Sequence, residues 1–115
     1  MDAQQYYEAQ TVLFKKECDQ LLAEVQKSVN QELNRFLVGE IARAKQNMLA
    51  HTEEHWRAFL RQMAEAERYR QSPVIARRGI PDSLEKAAKQ KLENDLENTR
   101  KFLQGFIERC RRQMR

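Results

Sequence analysis

Apolar side chains recur at steps of three and four residues through residues 14–63, and no proline interrupts them. This spacing places the side chains on one face of an α-helix and is not that of a strand. Asp2 and Gln5 have the spacing of a capping box, so we predict one long helix over about residues 3–70. Its apolar stripe consists of Phe14, Cys18, Leu21, Val25, Val29, Leu33, Phe36, Leu37, Ile41, Ala44, Met48, Thr52, His55, Phe59 and Met63.

A second amphipathic stretch follows the two prolines, Pro73 and Pro81. Proline disfavours helical geometry in the residue before it, so we expect a loop over residues 71–82. Asp82 and Glu85 form a second capping-box pattern, which predicts a helix over residues 83–114. Its stripe consists of Leu84, Ala88, Leu92, Leu96, Thr99, Leu103, Phe106, Cys110 and Met114, widened by Phe102 and Ile107. A short connection makes the helices antiparallel neighbours, so the predicted fold is a single all-α domain, a helical hairpin or bundle.

Gly39 lies where the apolar face of the long helix changes direction. If the chain turns near Gly39, three helices of similar length close as a three-helix bundle. If it continues, the N-terminal arm projects beyond the reach of the second helix. Because Val38, Glu40 and Ile41 offer none of the residues that usually accompany a turn, we favour the projecting arm.

A projecting arm leaves a row of large apolar side chains uncovered. Burial of each such side chain contributes roughly 1.5 to 3 kcal/mol, which is a strong drive to associate. We therefore predict a non-enzymatic interaction subunit or adaptor that binds a protein partner or forms a homo-oligomer. The predicted partner-binding residues are Phe14, Leu21, Val25, Val29, Leu33 and Phe36.

Composition narrows the functional classes. The chain is 33% charged, with a mean hydropathy of −0.87 and only 3 glycines. It contains no glycine-rich loop, nucleophile arrangement or convergent carboxylate pair, so we expect neither an enzyme nor a cofactor. No run approaches the roughly 20 apolar residues of a membrane span, and the N-terminus lacks a signal-peptide pattern. We therefore expect an intracellular, cytoplasmic protein, with the nucleus or an organelle left open.

The two cysteines, Cys18 and Cys110, match no metal-binding spacing. Each falls on one of the two apolar stripes. We therefore expect them to be buried free thiols, which pack as small apolar side chains.

Positive charge is concentrated in the second half of the chain. Residues 1–56 hold six Lys/Arg against nine Asp/Glu, and residues 57–115 hold fifteen against eight. Arginine suits bidentate pairing with phosphate, so the alternative function is nucleic-acid binding. No recognition motif or interleaved aromatic residue supports it, and the protein partner is preferred. The predicted basic patch comprises Arg77, Arg78, Arg109, Arg111, Arg112 and Arg115.

His51 and His55 belong to an H-x-x-E-H pattern of the kind found in one class of zinc peptidase. Histidines four residues apart share a helix face and can bind one metal ion, with Glu54 as a base. The pattern supplies neither a third ligand nor a substrate cleft. We predict no metal site, and keep His51 and His55 as the only candidate ligands.

Overall fold

The structure, a computed structural model, describes residues 2–74 and 79–115. It contains the helices α1 (Ala3–Gln26), α2 (Gln31–Arg70) and α3 (Ile80–Gln113), and no strand occurs in the described residues. The helices pack lengthwise into a bundle with extents of 67 × 17 × 16 Å. The prediction of an all-α helical bundle is confirmed.

The prediction of one continuous helix over residues 3–70 is wrong, because the chain turns at residues 27–30. The Asn30 side chain accepts a hydrogen bond from the Leu33 amide at 3.1 Å and so caps α2. Ser28 Oγ accepts one from the Asn30 amide at 3.2 Å, and Asn34 Nδ2 donates to the Val25 carbonyl at 2.8 Å. Serine and asparagine favour caps and turns because their side chains satisfy backbone groups left free there.

The apolar pattern does not reveal the turn, because Val29 continues the helical spacing of the stripe. Val25, Val29 and Leu33 are four residues apart, as on one helical face. In the structure Val25 is fully buried, whereas Val29 is 99% exposed and belongs to the turn. Gly39, where we considered a turn, lies inside α2.

The capping box predicted at the start of α1 is confirmed. Asp2 Oδ1 accepts from the Gln5 amide at 2.8 Å, and the Asp2 amide donates to Gln5 Oε1 at 3.2 Å. These two bonds satisfy backbone groups that an isolated helix start would leave to water.

The second predicted capping box is wrong. The cap residue of α3 is Gly79, with a positive φ of 69°, and Pro81 lies in the first turn, where its missing amide hydrogen is not needed. Asp82 and Glu85 accept hydrogen bonds from Arg70 at the end of α2 instead. The Arg70 hydrogen bond lowers the pKa of the Glu85 carboxyl. The helix therefore starts three residues earlier than predicted, at residue 80.

The core consists of two clusters of buried side chains. The Phe14 cluster comprises Phe14, Cys18, Leu21, Val25, Leu37, Ile41, Leu103, Ile107 and Cys110. The Leu92 cluster comprises Phe59, Ala88, Leu92 and Leu96. Buried cysteines at residues 18 and 110 confirm the prediction of free thiols, and burial raises the pKa of Cys18 to about 11.

Each helix contributes one buried polar residue between the two clusters: Gln10 from α1, Thr52 from α2 and Thr99 from α3. Along α2 and α3, this residue lies between members of the two clusters. On α1, Gln10 precedes the Phe14 cluster and follows Ala3, Tyr6 and Tyr7, which pack against the Leu92 cluster. The threonine hydroxyls donate to carbonyls of their own helices, at 2.7 Å for Thr52 and 2.9 Å for Thr99. A polar layer thus crosses the middle of the bundle.

Replacing Gly39 by alanine is expected to stabilise the bundle. A Cβ atom at Gly39 would meet nothing within 4 Å, so the position contacts no neighbouring helix. Alanine is favoured over glycine by roughly 1 kcal/mol in a helix interior, and we expect a gain of that size in urea denaturation. Gly79→Ala is the matched control and should destabilise, because φ there is positive. A loss of stability in Gly39→Ala would contradict the finding that a Cβ atom at residue 39 meets no neighbouring atoms.

Candidate functional site

The predicted partner-binding stripe is largely inside the bundle. Phe14, Leu21 and Val25 are fully buried in the Phe14 cluster, and Leu33 packs against it. They are covered because α1 ends at Gln26 and lies against α2 and α3. The expectation that this stripe remains uncovered is therefore wrong. Of the six predicted residues, only Val29 and Phe36 are exposed, Phe36 by 58%.

The groove between α2 and α3, called here the α2/α3 groove, is a more suitable candidate. It has a volume of 370 Å³. It is lined by Met48, His51 and His55 from α2, and by Asp95, Asn98, Thr99 and Phe102 from α3. Phe102 is 73% exposed, more than any other aromatic side chain in the described residues. A large aromatic ring therefore stands in solvent at the edge of a concave surface.

Helical periodicity explains the exposure of Phe102. Leu96, Leu103 and Ile107 point into the core and define the buried face of α3. One residue along an α-helix is a rotation of about 100°, so Phe102 points to the side of that face. The prediction that Ile107 widens the buried stripe is confirmed, whereas the same prediction for Phe102 is wrong.

The polar residues of the groove form one contact between the helices. His55 Nδ1 lies 3.5 Å from Asp95 Oδ2, and both side chains are half-buried. The His51 and His55 rings lie 6.5 Å apart between centroids, as expected for residues four apart on one helix. His51 Nδ1 is 3.9 Å from Glu54 Oε2 on its own helix. The two histidines thus share the groove with a carboxylate from the other helix.

These residues do not make a recognisable metal site. Across residues 2–74 and 79–115, no three or more His, Cys, Asp or Glu side chains are grouped so as to hold a metal ion. The groove does offer hydrogen-bonding groups beside an apolar surface. Asn98 and the His55–Asp95 pair provide donors and acceptors, while Met48 and Phe102 provide apolar contact. An apolar surface with a few hydrogen-bonding groups is typical of binding sites.

The predicted basic patch is divided by the fold. Arg77 and Arg78 lie outside the described residues. Arg111 donates from Nε and Nη2 to the Glu24 carboxylate at 3.0 and 3.1 Å, which ties α3 to α1. This pairing lowers the pKa of the Glu24 carboxyl. Arg111 is therefore engaged within the bundle.

The other patch residues lie near the end of α3. Arg112 Nη2 is 3.9 Å from Glu108 Oε2, which is a long and exposed ion pair. Arg109 and Arg115 are exposed, and Arg109 forms no ion pair with the residues that the structure describes. Its Nη1 atom lies 3.5 Å from where a Cβ at Gly105 would be, so the guanidinium folds back along α3.

Sequence reasoning singled out the two histidines of the groove but not Met48, Asp95, Asn98 or Phe102 as site residues. One signal was present in the sequence. Asp95, Phe102 and Arg109 are seven residues apart, a spacing that repeats one helix face. The face lies beside the apolar stripe of α3 and carries an acid, an aromatic ring and a base in order.

None of the helices in the described part of the chain is long and apolar enough to cross a membrane. No protein-family model, curated protein or solved structure matches this sequence.

Proposed function

We propose that this protein is a non-enzymatic helical interaction subunit that binds another protein chain through the α2/α3 groove. The exposed Phe102 ring is the observation that carries the proposal. Burial of a phenylalanine side chain contributes roughly 1.5 to 3 kcal/mol, and aromatic residues often supply most of the binding energy at interfaces. A partner that covers Phe102 gains this energy without rearranging the core.

The composition of the groove supports a protein partner. Met48 is flexible and polarisable, so it adapts to the shape of an incoming side chain. Asn98 and the His55–Asp95 pair lie in the same lining and supply polar contacts that fix orientation. An interface of this kind combines an apolar centre with hydrogen-bonding groups at its edge.

The geometry suits a helix as the bound element. The groove runs between two antiparallel helices, whose directions are fixed by the contacts of His55 with Asp95 and of Arg70 with Glu85. A partner helix lying along it would complete a fourth position of the bundle. Helices recognised in this way present apolar side chains three and four residues apart to the groove.

Site-directed photo-crosslinking tests the proposal. A photoreactive residue is placed at Asn98 in the groove, and the protein is expressed in cells and irradiated. We expect an adduct of discrete mass, and Phe102→Glu in the same chain should remove it because it places a charge in the apolar centre. Phe102 is exposed, so circular dichroism should show that Phe102→Glu remains folded.

The matched control places the same photoreactive residue at Gln90, which is exposed on α3 and does not line the groove. It should give no discrete adduct. The proposal fails if Asn98 gives no adduct, or if its adducts are the same with phenylalanine and glutamate at residue 102.

A further inference from the structure

One face of α3 carries a symmetric arrangement of charge about an aromatic ring. Asp95 precedes Phe102 by seven residues, and Arg109 follows it by seven. Seven residues are nearly two helical turns, so all three residues lie on similar sides of the helix, and the Cα atoms of Asp95 and Arg109 are each roughly 10 Å along the axis from that of Phe102. The helix therefore carries an acidic and a basic residue at positions equally far from Phe102, one on each side of it.

The surroundings of these residues leave them available for contact. Phe102 is mostly in solvent, and Arg109 is exposed with no ion pair to the described residues. Asp95 is half-buried, with one side-chain contact to His55 at 3.5 Å. Gly105, between Phe102 and Arg109, has no side chain, and the Arg109 guanidinium lies beside it, with Nη1 3.5 Å from where a Cβ atom would be.

We propose that a second copy of this chain is the partner, docked antiparallel on the α2/α3 groove about a two-fold axis at Phe102. This inference rests on the proposed function, because it names the occupant of the same groove. The two Phe102 rings meet at the axis. Each Asp95 then faces Arg109 of the second copy, because the two residues are equally far from Phe102.

Charge complementarity favours a second copy as the occupant of the groove, and it favours antiparallel docking. An interface between identical copies requires one patch to be complementary to itself, and a two-fold axis exchanges positions equally far from it. Antiparallel pairing places opposite charges together at both ends of the interface. Parallel pairing about the same ring would place Asp95 against Asp95 and Arg109 against Arg109, and like charges disfavour an interface.

Charge reversal in the purified chain tests this arrangement. We expect light scattering and sedimentation of the wild-type chain to show a monomer–dimer equilibrium between micromolar and millimolar concentration. Asp95→Arg or Arg109→Asp alone should weaken dimerisation at least about tenfold, because each creates two like-charge contacts per dimer. The double variant Asp95→Arg/Arg109→Asp should restore it, since every contact again joins opposite charges.

Two controls separate the proposal from general effects of charge and folding. Lys86→Asp reverses an exposed charge on α3 and should leave dimerisation unchanged, because residue 86 is about 160° around the helix from Phe102 and so off the face shared by residues 95, 102 and 109. Circular dichroism checks that each variant is folded. If Asp95→Arg acted only by breaking the contact with His55, the double variant would stay monomeric, and that result would overturn the proposal.

The outcomes also separate this inference from the function on which it rests. A wild-type chain that stays monomeric at millimolar concentration overturns the second copy as occupant. If the crosslinker at Asn98 then gives an adduct with a different protein, lost in Phe102→Glu, the interaction function still stands. If neither experiment detects association, both proposals are wrong.

Discussion

Val25→Glu is expected to unfold the bundle, whereas Val29→Glu is expected to leave it folded. Val25 is fully buried in the Phe14 cluster, and Val29 is 99% exposed in the turn between α1 and α2. An unpaired buried carboxylate costs several kcal/mol, a large part of the roughly 5 to 15 kcal/mol that stabilises a small domain. Substitution at an exposed position usually changes stability by less than about 0.5 kcal/mol. Circular dichroism with thermal and urea denaturation measures both effects.

This pair distinguishes the structure from the helix that the sequence suggested. On one continuous helix, Val25 and Val29 belong to the same stripe, so the two variants should behave alike. With a turn at residues 27–30, one faces the core and the other faces solvent. Equal stability of Val25→Glu and Val29→Glu would therefore contradict the turn.

The sequence predicted the helices well but misplaced the turn, and the reason is energetic. The bonds made by Ser28 and Asn30 are local, and a cap of this kind contributes only about 1 kcal/mol. A regular apolar stripe is a stronger signal, and Val29 continues it by spacing alone. Whether Val29 faces a core or solvent depends on helices distant in sequence, which periodicity within one segment does not include.

The same limit applies to the groove. The spacing of His51 and His55 correctly predicted that they share a helix face. Their neighbour Asp95 was not predictable, because contact between α2 and α3 depends on the register of the two helices. The start of α3 was misplaced as well, because Gly79 with Pro81 begins the helix earlier than the capping pattern at Asp82 suggested.

The buried polar layer is a further feature that the apolar pattern did not predict. Gln10 precedes the predicted stripe, yet it is buried beside the Phe14 cluster. Its Oε1 atom has no hydrogen-bond partner among the described residues. An unsatisfied polar group in a core lowers stability, so the apolar clusters on either side of the layer must supply most of the stabilisation.

Phe14→Ala should therefore be among the most destabilising single truncations in this chain. Phe14 is fully buried. It is the first residue of the Phe14 cluster and follows Gln10 by four residues. Truncation of a buried phenylalanine lowers the free energy of unfolding by about 3 to 5 kcal/mol, through lost apolar contact and the cavity left behind. Urea denaturation of Phe14→Ala should show this loss as a lower midpoint.

Phe36→Ala is the matched control, because the same side chain is removed where it is 58% exposed. We expect a loss below about 1 kcal/mol there, since little buried area disappears. Equal losses at residues 14 and 36 would mean that the N-terminal stripe is not packed as the structure has it. A large difference would show that Phe14 is committed to the core, so that association has to use surfaces outside it, such as the one around Phe102.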